Sequence, residues 1–306
     1  RRSFMAGALP LMAQQERPNI VFVMTDDQGY GDIGRHGNPV LKTPSLDALH
    51  DQSLRLTNYH VSPTCAPTRS ALLTGRYTNL VGPWHTIQGR SILHHDEVTL
   101  PEILQAGGYR TGIFGKWHLG DNYPSRPQDR GFDETLVIGG GGIWQTPDHF
   151  GNDYFDDTYL HNGKPQKYTG FCTDVFFENA RNFIDDAARR KQPFFCYIPT
   201  NAPHGPMWGP EQNAAHYANV KGLSEPGFYG MIENIDENIG KLRKHLEASG
   251  LARNTIFIFT TDNGTASGAE VHNAGMRSNK GSPYEGGHRV PFFMHWPKGG
   301  FTKDRP

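Results

Sequence analysis

Short apolar runs that end abruptly in polar residues alternate along this chain with stretches whose apolar positions recur every three and four residues. Residues 19–24 (N-I-V-F-V-M), 193–198 (P-F-F-C-Y-I) and 255–259 read as buried strands, and 54–59, 110–115 and 290–294 as further strands. Helices are predicted from Thr43-Pro44-Ser45, with Ser45 or Thr43 as cap and Leu46 and Leu49 on one face, and over 99–106, stopped by Gly107-Gly108. Further helices are predicted over 174–188 and 229–249. In the last, Ile232, Ile235, Ile239, Leu242 and Leu246 trace one face and Gly250 follows as a stop. Residues 139–170, rich in Gly, Asp, His and aromatics, carry neither period and are expected to be a long surface excursion. Apolar strands alternating with helices predict an α/β fold, a mostly parallel sheet sandwiched by helices. Ligands of such sheets bind beyond the carboxyl ends of strands. Polar clusters at Asp26, Lys116, His204 and Asp262 each follow a predicted strand directly.

Charge narrows the classes of partner. With 30 Lys+Arg against 31 Asp+Glu in 306 residues, no global field draws in nucleic acid or an anionic membrane, so anion recognition must be local. No apolar run reaches the length needed to span a bilayer. The 36 glycines and 22 prolines suit many ordered loops. Of three cysteines, Cys172 and Cys196 either pair or stand as core thiols; sequence does not choose. Residues 1–16, opening Arg1-Arg2-Ser3-Phe4-Met5, read either as the remnant of a twin-arginine-like export signal or as a basic tail. The export reading predicts a periplasmic or secreted bacterial protein, with residues 17–306 as the catalytic domain.

The chemistry-bearing motifs sit at the strand ends. Asp26-Asp27 and Asp262-Asn263 together offer oxygen-only ligands, suited to calcium or magnesium and poor for zinc. Cys65-Ala66-Pro67-Thr68-Arg69, continued by Ser70-Ala71-Leu72-Leu73-Thr74-Gly75-Arg76, places an arginine one helical turn after a cysteine. Lys116-Trp117-His118-Leu119-Gly120 would point Lys116 and His118 to one side of an extended chain and Trp117 to the other. Two prolines flank His204 in Ala202-Pro203-His204-Gly205-Pro206, fixing its backbone as a positioned acid requires. The last motif is the run from Lys280 to Pro291, K-G-S-P-Y-E-G-G-H-R-V-P.

Taken in order, these motifs resemble those of type I sulfatases, C-x-P-[ST]-R, G-K-W-H-L-G, P-H-x-P and K-x-x-x-Y-E-G-G-x-R-V-P, from about Pro18 to Pro297. That family belongs to the alkaline phosphatase superfamily, whose sheet architecture it shares. The resemblance implies that Cys65 is oxidised to formylglycine by a formylglycine-generating or anaerobic sulfatase-maturating enzyme. It implies one calcium ion held by Asp26, Asp27, Asp262 and Asn263, with residue 65 adding an oxygen. In the implied reaction, the hydrated aldehyde attacks a sulfate monoester. Arg69 holds the hydrate, Lys116 and Lys280 bind the sulfuryl oxygens, His204 protonates the departing alcohol and His118 assists release of sulfate. Glu285, Arg289 and the adjacent glycines read as structural. A sulfated carbohydrate is the expected substrate, with Trp84, His85, Trp144, His149 and Trp208 available to stack on a sugar. A phosphate or phosphonate ester hydrolase of the same superfamily, or an inactive carbohydrate-binding relic, is the alternative. Family members usually continue past the equivalent of Trp296-Pro297 into a small C-terminal subdomain, so the expectation here is a domain without it.

Overall fold

Along the first strand, Val21 and Val23 point to one face and Phe22 and Met24 to the other, and all four are buried. A strand apolar on both sides must be covered on both sides, and that requirement organises the molecule. The computed structural model describes residues 17–87 and 89–303. Its strands are β1 (Asn19–Thr25), β2 (Leu54–Arg55), β3 (Arg110–Lys116), β4 (Glu134–Ile138), β5 (Thr158–His161), β6 (Lys164–Lys167), β7 (Phe194–Pro199), β8 (Thr255–Thr261) and β9 (Phe292–His295). They form one sheet in the order β2-β9-β8-β1-β7-β3-β4-β5-β6. The five central strands, β8 to β4, are mutually parallel, and the outer four pair antiparallel.

The helices are α1 (Pro44–Gln52), α2 (Cys65–Thr74), α3 (Thr78–Val81), α4 (Leu100–Ala106), α5 (Cys172–Arg189), α6 (Glu211–Ala214), α7 (Pro226–Ala248) and α8 (Glu285–His288). Leu46 and Leu49 of α1, Phe176, Phe183 and Ile184 of α5, and Ile235, Ile239 and Leu242 of α7 pack with Val21 and Val23 on one face. Ala66 and Leu73 of α2, with Trp117, Leu119 and Tyr197, pack with Phe22 and Met24 on the other. The five apolar positions that trace the α7 face are all buried. At ~1.5–3 kcal/mol for each fully buried Leu or Ile side chain, this seam is a large share of what holds α7 down.

Three expectations need correction. Residues 139–170 are not structureless: β5 and β6 form a hairpin there and extend the sheet edge through β4. Their burial is slight, β6 being exposed throughout, so they lack the apolar period that marks a core strand. The strand expected over 54–59 is only Leu54–Arg55. Thr43 is the residue preceding α1 but makes no capping bond; its hydroxyl accepts from the Gly34 amide instead. Cys172, at the start of α5, and Cys196, in β7, are both buried free thiols. The export-signal reading concerns residues 1–16, which lie outside the described residues. Among the described residues, no helix is long and apolar enough to cross a membrane.

Candidate active site

Four parallel strands deliver the site at their carboxyl ends. Asp26 and Asp27 follow β1, Lys116 closes β3, His204 lies five residues past β7, and Asp262 and Asn263 follow β8. Backbone bonds lock these ends together: the Asp262 amide donates to the Thr25 carbonyl, the Thr200 amide to Met24 and the Asp26 amide to Ala202. Asp27 then turns into the left-handed region at φ 67°, where Asp is tolerated better than most residues. Gly115, at φ 136°, leaves no room for a side chain; a Cβ there would sit 2.0 Å from the Pro199 carbonyl oxygen. This close approach of β3 to β7 sets where Lys116 emerges.

The carboxylates converge. Ligand atoms of Asp26, Asp27, Cys65 and Asp262 all lie within 4.8 Å of one another, and all four residues are buried. Cys65 opens α2, and its thiol donates to Asp26 Oδ1 at 3.3 Å. One turn on, Arg69 is fully buried; its Nε and Nη2 fork onto Asp262 Oδ2 at 3.1 and 2.6 Å, and its Nη1 donates to the Lys116 carbonyl. Lys116 Nζ, also fully buried, donates to Asp26 Oδ2 at 2.5 Å. Lys280 Nζ lies 2.6 Å from Asp27 Oδ1 and 2.7 Å from Oδ2. Three carboxylates thus face three cations, and the cluster is formally neutral with His204 uncharged. A divalent cation would make it net positive, the sign an anionic ester needs.

Burial works to raise the Asp26 carboxyl, but Lys116, His204 and Arg69 together hold it below the ordinary value. Asp27 is likewise held low, by His204 and Lys280 against its burial. Burial and the neighbouring Asp26 push Asp262 up. Burial and Asp26 also push the Cys65 thiol well above its usual range, so position 65 is a poor thiolate nucleophile.

A donor set of carboxylates and an amide oxygen suits a hard cation. Asn263 Nδ2 donates to Asp27 Oδ1 at 2.8 Å, which leaves Asn263 Oδ1 buried with no hydrogen-bond partner. An orphaned buried acceptor beside three carboxylates is what a cation ligand looks like without its ion, and the residues present fit calcium.

The two histidines flank the cluster differently. His118 has φ 59°, so the chain is not extended there and the expected alternation of Lys116 and His118 does not apply. Trp117 does enter the core, with its indole N–H donating to the Ser125 carbonyl. The carbonyl of Thr86, which can only accept, fixes the proton on His118 Nε2 at 2.9 Å, leaving Nδ1 as a buried lone pair with no partner. Burial and Lys116 push this imidazole well below its usual range, so it is neutral. His204 Nδ1 donates to the Gly205 carbonyl at 2.7 Å, and Nε2 stands 3.8 Å from Asp27 Oδ2.

Sequence reasoning missed the residues that frame these histidines. Gly141 and Gly142 pack directly against His118 and His204: a Cβ on either would meet an imidazole nitrogen at 2.4 and 3.2 Å. Tyr154, fully buried, donates to the His204 carbonyl at 2.6 Å. The four-glycine run 139–142 was the available signal, since such close approach needs residues without side chains. A separate cavity of about 800 Å³ opens at the amino ends of β1, β7 and β8, lined by Arg17, Asn19, Phe194 and Asn254; it holds none of these groups.

The sulfatase family profile matches residues 18–304. The chain is 32% identical over 298 residues to arylsulfatase J of Mus musculus, spanning 93% of this chain and 49% of that one. Identity to N-acetylgalactosamine-6-sulfatase of Mus musculus is 31% over 335 residues, 95% of this chain and 60% of that one. The solved structure of Ps i-CgsB in complex with k-i-k-neocarrahexaose superposes with a TM-score of 0.84 at 33% identity, covering 92% of this chain and 66% of that chain. The chain therefore spans between half and two thirds of the length of these relatives. By the profile that matches nearly all of it, the chain belongs to the sulfatase family.

Proposed function

We propose that this chain is the catalytic domain of an exported enzyme, that it hydrolyses sulfate monoesters of a saccharide, and that it requires formylglycine at position 65 and one calcium ion. The observation that carries the reading is the convergence of Asp26, Asp27, Cys65 and Asp262 within 4.8 Å, ringed by Arg69, Lys116 and Lys280. Asp26, Asp27, Asp262 and Asn263 would hold the calcium. When bound, calcium would supply a Lewis acid for oxygen, and the hydrated aldehyde would supply a nucleophilic hydroxyl that an unmodified cysteine lacks.

The chain's own residues do the rest. Arg69 neutralises Asp262 and orients the helix turn that carries residue 65. Lys116 and Lys280 bring two ammonium groups to bear on charge that develops on the sulfuryl oxygens. As the imidazolium, with Nδ1–H held on the Gly205 carbonyl, His204 can give its Nε2 proton to the leaving alcohol as the ester S–O bond breaks, after which water balances the reaction as alcohol plus sulfate. His118 Nδ1, a neutral lone pair with no partner, would help take a proton from a hydroxyl of the matured residue 65. Maturation of Cys65 would need a formylglycine-generating or anaerobic sulfatase-maturating partner.

A saccharide substrate is supported by the names of two relatives, which specify N-acetylgalactosamine and a neocarrahexaose complex. It is also supported by the rim. Trp144 and Trp208 meet edge to face with ring centroids 4.7 Å apart, at 64% and 44% exposure. Trp144 follows the glycines that touch both histidines, and Trp208 lies four residues past His204. Two exposed indoles at right angles form a corner that suits the apolar face of a pyranose ring. Among the described residues, Arg69, Lys116 and Lys280 pair with these carboxylates, a cationic surround that favours sulfate over phosphate.

The test is a panel of sulfated oligosaccharides, an aryl sulfate, a phosphate monoester and a phosphonate monoester, run on matured protein and on Cys65→Ala. Sulfate release from saccharides that vanishes in Cys65→Ala is expected. Faster turnover of the phosphorus esters would replace the sulfatase reading with the phosphatase one. Saccharide binding without turnover would make the protein a carbohydrate-binding relic.

A further inference from the structure

A second group of metal-ligating side chains lies outside the strand-end cluster, two of them in the part of the Lys280–Pro291 motif that the proposed reaction leaves unused. Glu285 and His288 stand three apart on the single turn of α8, and His60 comes from the segment preceding Cys65. Backbone bonds fix the two segments against each other. The Val61 amide donates to the His288 carbonyl at 2.8 Å, Val290 to Tyr59 at 3.1 Å and Gly281 to Pro63 at 2.8 Å. A nitrogen from each imidazole and a Glu285 carboxylate oxygen lie within 4.8 Å of one another.

Proton placement at this cluster is informative. His288 Nε2 lies 3.1 Å from the Pro283 carbonyl oxygen, and His60 Nε2 lies 3.0 Å from Asn58 Oδ1. Both oxygens accept, so both Nε2 atoms carry hydrogen and both Nδ1 atoms of the neutral rings carry lone pairs. Yet the two Nδ1 atoms face each other at 2.9 Å. Two lone pairs at that separation repel unless a proton or a cation sits between them. Ring N–H groups donating outward to carbonyl-type oxygens are also the arrangement that orients metal-bound histidines. Arg289 engages Glu285 through Oε2 at 3.4 Å, while Oε1 is the oxygen nearest His60, 3.9 Å from Nε2. His60 is about one third exposed, which leaves an entry path.

We propose that His60, Glu285 and His288 form a binding site for a divalent transition metal of the zinc class, independent of the strand-end carboxylates. Two imidazoles and one carboxylate are a three-ligand set that leaves a fourth position for water. Occupation ties the segment leading into Cys65 to the loop that carries Lys280, two parts of the candidate active site far apart in sequence.

The experiment is a zinc titration of the full chain by calorimetry in excess calcium, which saturates oxygen ligands and competes poorly for imidazole. One zinc site is expected in the parent. His60→Gln and His288→Gln should each weaken it beyond the ~10–100-fold typical of losing an outer-shell partner. Copper in place of zinc should show coupling to two nitrogens in its electron paramagnetic resonance spectrum. An imidazole nitrogen NMR spectrum of the unmutated protein gives a readout free of any folding defect: zinc should shift both Nδ1 signals together. Unchanged zinc affinity in the variants, or a single proton shared by the two Nδ1 atoms that zinc does not displace, overturns the site.

Discussion

Replacing Lys116 with methionine keeps the length of the side chain and removes its charge, which isolates one ion pair in the buried cluster. Nζ and Asp26 Oδ2 are 2.5 Å apart and neither side chain touches solvent. Coulomb attraction at this distance with an effective dielectric near 20 is on the order of 7 kcal/mol, most of it offset by the cost of drying both groups. Removing one partner strands the other, and measured losses for such cuts are about 3–5 kcal/mol. At roughly 1.5–2 °C per kcal/mol for a domain of about 300 residues, Lys116→Met should melt ~5–10 °C lower at pH 7 without calcium. Asp26 is also a proposed calcium ligand, so ammonium and calcium compete for it. Calcium should therefore bind Lys116→Met more tightly than the parent and restore part of the lost stability. Adding Asp26→Asn to Lys116→Met should recover stability without calcium and abolish the calcium effect. Differential scanning calorimetry on the three proteins, with and without calcium, reads all of this. A Lys116→Met protein that melts within about 3 °C of the parent in both conditions would show that the pair does not hold the cluster together.

Other consequences are as specific. His204→Ala should cost ~10²–10⁴-fold on sugar sulfates, whose alkoxide must be protonated, and far less on nitrophenyl sulfate; equal losses would move His204 from leaving-group acid to sulfate binder. Asp32 is fully buried, and burial lifts its carboxyl to about 7 despite hydrogen bonds from Thr265 and Gly29. Between about pH 4 and 7 the native state therefore binds a proton that the unfolded chain does not, so stability falls as pH rises through that window. Asp32→Asn should flatten this slope, raising the melting point at pH 8 and leaving it nearly unchanged at pH 4; a parallel shift at both would refute the titration. Gly115→Ala should destabilise by about 1–3 kcal/mol or more, because its Cβ meets the Pro199 carbonyl, and an unchanged melting point by calorimetry would refute that clash.

What the sequence reveals here follows from where burial is two-sided. β1, β7 and β8 are apolar along their length and stand out, as does α7, whose five-residue stripe is wholly buried. The β5–β6 hairpin does not, because its residues are largely exposed and no period is imposed on them. Site residues were legible where a motif ends a strand: Asp26, Lys116 and Asp262 meet where their strands stop. Their pairing was not, since which lysine faces which carboxylate is set by strand order, β8-β1-β7-β3, and that is a tertiary fact. The left-handed turn at His118 was equally hidden, because histidine carries no fixed backbone preference. The glycines at 141 and 142 were visible as composition, but only the packing of both imidazoles against them shows that a Cβ at 141 would overlap His118 and one at 142 would crowd His204.

The central claim is that catalysis belongs to an oxidised residue 65 rather than to the encoded thiol. The most direct measurement is sulfate release from a sulfated oligosaccharide across preparations matured to different extents, with the aldehyde fraction at position 65 read from peptide mass. Turnover should rise in proportion to that fraction and extrapolate to zero for the thiol form. Turnover that is independent of the aldehyde fraction would contradict the account.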